Sequence, residues 1–470
     1  LARATNSVAP EDQLRVESHR RFTGGSSHRR SPVAHVMCCC RVDSVFGPHS
    51  DLMTPKRRPV AVAAAGMAVE GYDWVTFLTL LPYMTSELFR DSESGMTAGL
   101  AIFAAGFVSR PVGAYILGSI ADRRGRTTAF VTSLWTGAGA TTGMAITPAI
   151  DGVAWAAPLL LLIFRVVLGA AHGGQAAVVN AHMYEMHPVG RRLDPSALIY
   201  TMAACGKVVS LTVTLLMIAM IGHEQMAGWG WRIPYAVGAV AGAALAIAAA
   251  HGIDAALPRS EEAGTAPNLR HSAILARMAA VCALTVGTTL SYNIWVAGTV
   301  PYAVTHLSVG ESTMVAVSLV QTVGFAGLVI CAGVLMRHRS RTGLYAASAV
   351  ANAVFALPVL YLTRPSATLA MYLVGTSLAT VALAGLCAAL PAVISALFPR
   401  SVRGVGNGLP YAVAVALIGG TAPSLRETFS SNYTVFAVYA ATTCLITAGT
   451  AIMVDRRSTG IRRQIQVQQP

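Results

Sequence analysis

The sequence predicts an all-α membrane protein of twelve transmembrane helices in two six-helix halves, and three observations carry that prediction. The 470-residue chain is 54% hydrophobic and 12% charged, where a soluble domain carries about 25% charged residues. Apolar runs long enough to cross a bilayer core as helix recur twelve times. The loops between them alternate between arginine-rich and arginine-poor. Peptide groups in lipid must be satisfied within their own segment, so each run is read as a helix. The short alternating segments of a membrane β-barrel are absent.

The runs fall at roughly 60–84, 97–121, 127–147, 155–181, 196–222, 233–253, 277–303, 313–336, 342–362, 369–396, 404–428 and 433–454. The first carries Glu70 and Asp73. The second holds Arg110 and leaves the membrane through the charged turn Gly118-Ser-Ile-Ala-Asp122-Arg123-Arg124-Gly125-Arg126. The fourth holds Arg165 and the fifth Lys207. A polar cytoplasmic linker, residues 254–276, separates a first half (56–253) from a second (277–454), with Pro258, Glu261, Glu262, Gly264 and Pro267 in it. After the eighth run comes a degraded copy of the charged turn, Gly333-Val-Leu-Met-Arg337-His-Arg339-Ser-Arg341, in which Arg337 replaces Asp122 and Ser340 replaces Gly125. Repeated halves around a midplane site are the architecture of secondary transporters. Residues 455–470 read as a cytoplasmic tail.

The first 52 residues hold seven arginines and no long apolar run, so they cannot bury a core and lack the apolar stretch of a signal peptide. Residues 1–55 are expected to be a disordered tail or, since Met53 precedes the first run, an untranslated segment. Cys205, Cys282, Cys331, Cys387 and Cys444 sit singly in separate runs and read as apolar fillers, and Cys38, Cys39 and Cys40 are too close together for a chelating pair.

The net charge of +13 is a matter of topology. Twenty Lys and Arg residues fall on one side of the predicted membrane, and four, Arg90, Arg232, Arg364 and Arg426, on the other. That bias places both termini in the cytoplasm and the chain in the cytoplasmic membrane, with the basic loops on lipid rather than nucleic acid. With no P-loop, no metal-ligating cluster and no nucleophile–base set, neither an ATP-driven pump nor an enzyme is indicated, and no cofactor is expected.

Charges inside the spans point to function, because each is expensive there. Glu70 and Asp73 are three residues apart and so share a helix face. With Arg110, Arg165 and Lys207 they lie at about half the depth of a bilayer core. They are expected to form one wet cluster confined to the first half. Two carboxylates against three cations leave one positive charge, which favours an anionic substrate. Two neighbouring carboxylates do not both ionise cheaply, which suits Glu70 and Asp73 to carrying a proton. The alternative for Arg110 is a lock between two helices. Second-half polar residues that could complete the site are Tyr292, Asn293, Trp295, Gln321, Asn407 and Tyr411, with structural bonding between helices as the alternative. His172 and His182 are read as interface residues.

The chain resembles the major facilitator superfamily, and within it the metabolite:proton symporter branch that includes shikimate, α-ketoglutarate, citrate and proline/betaine carriers. The resemblance rests on Gly118 to Arg126, on Arg165-x-x-x-Gly169 with Gly173-Gly174, and on Glu70-Gly-Tyr72-Asp73. Further matches are Arg110-Pro111-x-Gly113, Trp229-Gly-Trp231-Arg232-Ile-Pro234, Phe398-Pro399-x-x-x-Arg403-Gly404 and Gly419-Gly420-Thr421-Ala-Pro423. It implies rocking alternating access, a gating loop of Gly118, Asp122, Arg123, Gly125 and Arg126 that stabilises the outward-open state, and a coupling role for Arg165. The fifth run, with Gly206 and Gly222 but no Pro, lacks the antiporter signature and so favours symport. Three features depart from the pattern: Gln175 stands where relatives carry Glu, Lys207 is an added cation, and the second-half turn has lost its Asp.

The resulting expectation is a monomeric secondary transporter that imports a small, anionic organic metabolite by proton symport. Asp73, Glu70 and Arg165 are the coupling candidates. Arg110, Lys207, Tyr72, Gln175, Tyr292, Asn293, Gln321, Asn407 and Tyr411 are the substrate-binding candidates. A proton-coupled exporter and a non-transporting receptor on a transporter fold are the alternatives.

Overall fold

A helix closes its backbone hydrogen bonds within one segment, and this chain uses it throughout. The computed structural model describes residues 58–89, 95–149, 153, 155–185, 194–252, 271–307, 309–398 and 403–467, and every regular element among them is helical. The first half contains α1 (Arg58–Leu88), α2 (Gly95–Val108), α3 (Arg110–Arg124), α4 (Arg126–Ala145), α5 (Ala156–Glu185), α6 (Pro195–Gln225) and α7 (Arg232–Gly252). The second contains α8 (His271–Tyr292), α9 (Thr299–His306), α10 (Glu311–Leu335), α11 (Arg341–Leu362), α12 (Leu369–Ser395), α13 (Arg403–Ala414), α14 (Ala422–Thr428) and α15 (Tyr433–Val467). Helices α2 and α3 make one span, broken at Ser109. Helix α8 continues into a π-helical stretch, Asn293–Ala297, and α13 into another, Val415–Gly419.

Among the described residues ten stretches are long and apolar enough to cross a membrane. Helices α1, which carries Glu70 and Asp73, and α4, rich in Thr and Gly, complete the twelve and are set apart by polarity rather than length. Large apolar side chains such as Tyr115, Ile163, Met220, Val320, Val354 and Leu417 are exposed around the molecule. In water that is unfavourable; against acyl chains it is the expected surface.

Lipid offers no hydrophobic drive for helix association, so contact depends on close approach. A Cβ added at Gly206 of α6 would sit 1.8 Å from the Ala68 carbonyl oxygen of α1, and one at Gly113 of α3 would sit 1.8 Å from that of Ala170 on α5. Glycine at these positions brings α1 onto α6 and α3 onto α5 at backbone distance.

The halves meet on both sides of the centre. Toward one end Val75 and Leu211 pack with Val300, Tyr302, Met314 and Tyr372. There the His223 Nδ1 lies 2.8 Å from the Tyr83 hydroxyl and 3.9 Å from a Glu311 oxygen. Toward the arginine-rich end Ala197 and Ala204 pack with Val281, Phe325 and Leu390. At that end Arg341 Nε pairs with Asp194 Oδ2 at 2.7 Å, and Asp194 also caps α6 by accepting from the Ser196 amide at 3.0 Å. Arg341 belongs to the degraded turn, which thus bonds across the halves although it lacks an Asp.

One sequence expectation changes and others fall outside this view. Helix α15 runs on to Val467, past the apolar run that ends near 454, since no Pro follows before Pro470. Residues 1–55 and most of the linker, 253–270, lie outside the described residues, as do the side chains of Asp122 and His182. Gly125 adopts φ +94° between α3 and α4, a conformation that costs glycine nothing and other residues strain.

Gly206→Ala is expected to lose about 1–3 kcal/mol of stability by overpacking, whereas Gly139→Ala, with nothing within 4 Å of the added carbon, leaves stability unchanged. Thermal unfolding of the purified variants in detergent checks the pair.

Candidate functional site

A cavity lies between the halves. Helix α1 contributes Glu70 and Trp74, α2 and α3 contribute Phe107 and Arg110, and α6 contributes Tyr200. From the second half come Tyr292 and Asn293 around the first π-helical stretch, Pro391 of α12, and Tyr411 with Val415. The π geometry widens the helix and frees backbone groups, a feature common at binding sites.

The wall holds one ion pair. Arg110 Nη2 donates to Glu70 Oε1 at 2.8 Å. The guanidinium also lies 4.5 Å from the Trp74 ring and 5.1 Å from the Phe107 ring. Glu70 Oε2 and Arg110 Nε are buried with no protein partner, so the pair keeps one spare acceptor and one spare donor.

A second charged group is enclosed within the first half. His172 Nε2 lies 3.3 Å from Asp73 Oδ2, and the Thr141 hydroxyl donates to Asp73 Oδ1 at 3.5 Å. Arg165 is 0% exposed. Its guanidinium rests on Trp74, Phe77 and Phe103 at 4.0, 4.6 and 5.1 Å, and Nε, Nη1 and Nη2 have no acceptor.

The single five-charge cluster expected from sequence is therefore divided. Glu70 and Arg110 line the cavity and sum to zero charge, so the expected positive surplus does not sit there. Asp73 and Arg165 do not line it. Three residues along a helix share a face only approximately, and here Glu70 faces α3 while Asp73 faces α4 and α5. Lys207 also lies outside the cavity, where its Nζ donates to the Val296 carbonyl in the π-helical stretch and ties α6 to the second half.

The remaining candidates divide in the same way. Tyr292, Asn293 and Tyr411 line the cavity, and the Asn293 amide donates to the Thr289 carbonyl at 2.9 Å. Tyr72 donates to the Pro234 carbonyl at 2.6 Å and Gln175 to that of Gly66 at 2.7 Å, both within the first half. Gln321 donates to the Thr376 hydroxyl at 2.5 Å and Asn407 to the Ser395 hydroxyl at 3.0 Å, both within the second. These four bond across or along helices and do not line the cavity. In the turn, Gly118 approaches Val405 of α13, with an added Cβ 3.8 Å away, and Arg123 is exposed.

Trp74 and Tyr200 line the cavity although neither carries a charge that marks it in the sequence, and His172, expected at a helix interface, contacts Asp73. The spacing of Trp74 was a usable signal: four residues from Glu70, it recurs on the same helix face. Arg426, assigned to a loop, is buried against the Tyr302 ring at 3.5 Å and the Trp295 ring at 5.0 Å.

The profile of the Major Facilitator Superfamily matches residues 63–423. The chain is 26% identical over 420 residues to the alpha-ketoglutarate permease of Escherichia coli (strain K12), covering 85% of this chain and 94% of the relative. It is 25% identical over 416 residues to the shikimate transporter of the same strain, again covering 85% and 94%. The crystal structure of a D-xylose-proton symporter superposes with a TM-score of 0.65 at 14% identity, covering 84% of this chain and 96% of that one.

Removing one member of the cavity pair is expected to cost about 3–5 kcal/mol, because it strands the other charge in a buried wall. Glu70→Ala should accordingly lower the melting temperature sharply. Lys207→Met, which deletes a buried charge with no carboxylate partner and keeps the length, should raise it.

Proposed function

The chain belongs to the major facilitator superfamily, and from that premise we propose that it imports a small, anionic organic metabolite by proton symport. It is a multi-pass membrane transporter of metabolites and not an enzyme, as its relatives are. The observation that carries the finer reading is the Glu70–Arg110 pair in the cavity wall. A guanidinium binds a carboxylate through two parallel hydrogen bonds, and Glu70 occupies Arg110 as an internal stand-in for the substrate. A proton on Glu70 removes that competitor, so a carboxylate and a proton together keep the wall neutral where either alone would not. The relatives named for alpha-ketoglutarate and shikimate bear names of carboxylates, in keeping with this.

Asp73 with His172 is the second proton site in this reading, and Arg165 acts on it. Tyr292, Asn293 and Tyr411 face the substrate from the second half. The halves rock about the cavity, breaking the Asp194–Arg341 contact at one end or the His223–Glu311 contact at the other. The turn of Gly118, Asp122, Arg123, Gly125 and Arg126 serves as the latch at the arginine-rich end, which faces the cytoplasm with both termini. The working unit is a monomer.

Uptake of labelled shikimate and 2-oxoglutarate into proteoliposomes under an acid-outside gradient tests the reading. Accumulation is expected to collapse with a protonophore, to be lost in Arg110→Ala, and to fall at least tenfold in Asp73→Asn. Accumulation driven the opposite way would replace import by export, and binding without flux would indicate a receptor. Affinity for the carboxylate should rise as pH falls, because protonation of Glu70 frees Arg110. In Glu70→Gln that pH dependence should weaken, leaving the part owed to Asp73.

A further inference from the structure

Arg165 poses a physical problem that the transport reading does not solve. It is completely buried and its guanidinium nitrogens have no protein acceptor, although Asp73, next in sequence to Trp74, packs against the same helix α5 through His172. A guanidinium with five N–H donors is costly to bury without acceptors, so something must hold it off that carboxylate. What holds it is aromatic: Trp74 at 4.0 Å, with Phe77 and Phe103 at 4.6 and 5.1 Å. Indole is the strongest cation-binding ring, and the same indole takes Arg110 at 4.5 Å. Among the described residues Trp74 is the ring that both guanidiniums share. Its own Nε1 has no hydrogen-bond partner, so no polar contact fixes the indole independently of the two cations.

We propose that Trp74 is a positioning residue for proton coupling: its indole holds Arg165 away from Asp73 and links that hold to the position of Arg110. The proposal rests on the reading of Asp73 as a proton acceptor. While Arg165 stays on the rings, Asp73 has His172 and Thr141 as partners and accepts a proton. When Arg165 moves to Asp73, the carboxylate becomes the favoured form, and its proton passes to His172 Nε2, 3.3 Å away. Arg110 sets the balance, because two cations on one ring repel each other. A substrate carboxylate that neutralises Arg110 or draws it off leaves the indole to Arg165, and Asp73 keeps its proton. Substrate and proton are thereby loaded together.

The groups that face Asp73 are few. His172 and Arg165 come from α5 and Tyr235 from α7, with Tyr72 on its own helix and the neutral Thr141 hydroxyl from α4. Both phenols are otherwise engaged, Tyr72 with the Pro234 carbonyl and Tyr235 with the Met84 sulfur. Arg165 is therefore the mobile cation that competes with the proton.

Infrared pH-difference spectra of the full-length protein read the Asp73 carboxyl directly, as the protonated-acid band that Asp73→Asn removes. Trp74→Leu is expected to lower the midpoint of that band by at least one pH unit, a tenfold loss of proton affinity, and Trp74→Phe by less. A Trp74→Leu midpoint equal to that of the unmodified protein overturns the proposal. Phe77→Leu removes a weaker part of the same shelf and should shift the midpoint in the same direction; it decides the matter if Trp74→Leu does not fold, and no shift there overturns the proposal equally. Absence of any titrating band lost in Asp73→Asn would instead overturn the proton reading of Asp73, whatever Trp74 does.

Discussion

Charge held in a low-dielectric interior is the constraint on which this structure depends. Two carboxylates and three cations sit within the first-half helices, and each must find a partner or be expensive. The protein meets the requirement in three ways. Glu70 and Arg110 pair in the cavity wall, and Asp73 takes His172 and a hydroxyl. Arg165 and Lys207 have no carboxylate and rest on ring faces and on a backbone carbonyl. The first way leaves a site that a carboxylate can enter. The others leave cations whose positions are conditional, and conditional positions are what a machine with two states requires.

Helix packing makes these partnerships reachable. Gly206 lets α6 meet α1, which carries Glu70, and Gly113 lets α3, which carries Arg110, meet α5 at backbone distance. The second half adds uncharged polar and aromatic groups, with two π-helical stretches beside the cavity. Chemistry and geometry are thus supplied by different halves.

The fold was legible in the sequence because lipid enforces a simple rule: long apolar runs must be helices, and the loop charges sort by side. The end of α15 was missed because hydropathy reports where the membrane stops, whereas the helix goes on to Val467. The site was legible in part. Residue type alone marked Glu70, Asp73, Arg110 and Arg165, since a charge within a span is conspicuous. Their division into two groups was not legible, because it depends on helix rotation and on which neighbour reaches each side chain. Trp74 escaped notice for the opposite reason, as one aromatic residue in an apolar span looks like packing until two guanidiniums are found against it.

The placement of all the cavity's charge on the first half has a further consequence. Substitutions in the second-half wall, around Tyr292, Asn293 and Tyr411, can reshape the space offered to a ligand without touching the groups that would handle protons. The shape of the cavity and its charge are then set by separate walls, so one can drift among relatives while the other is inherited unchanged.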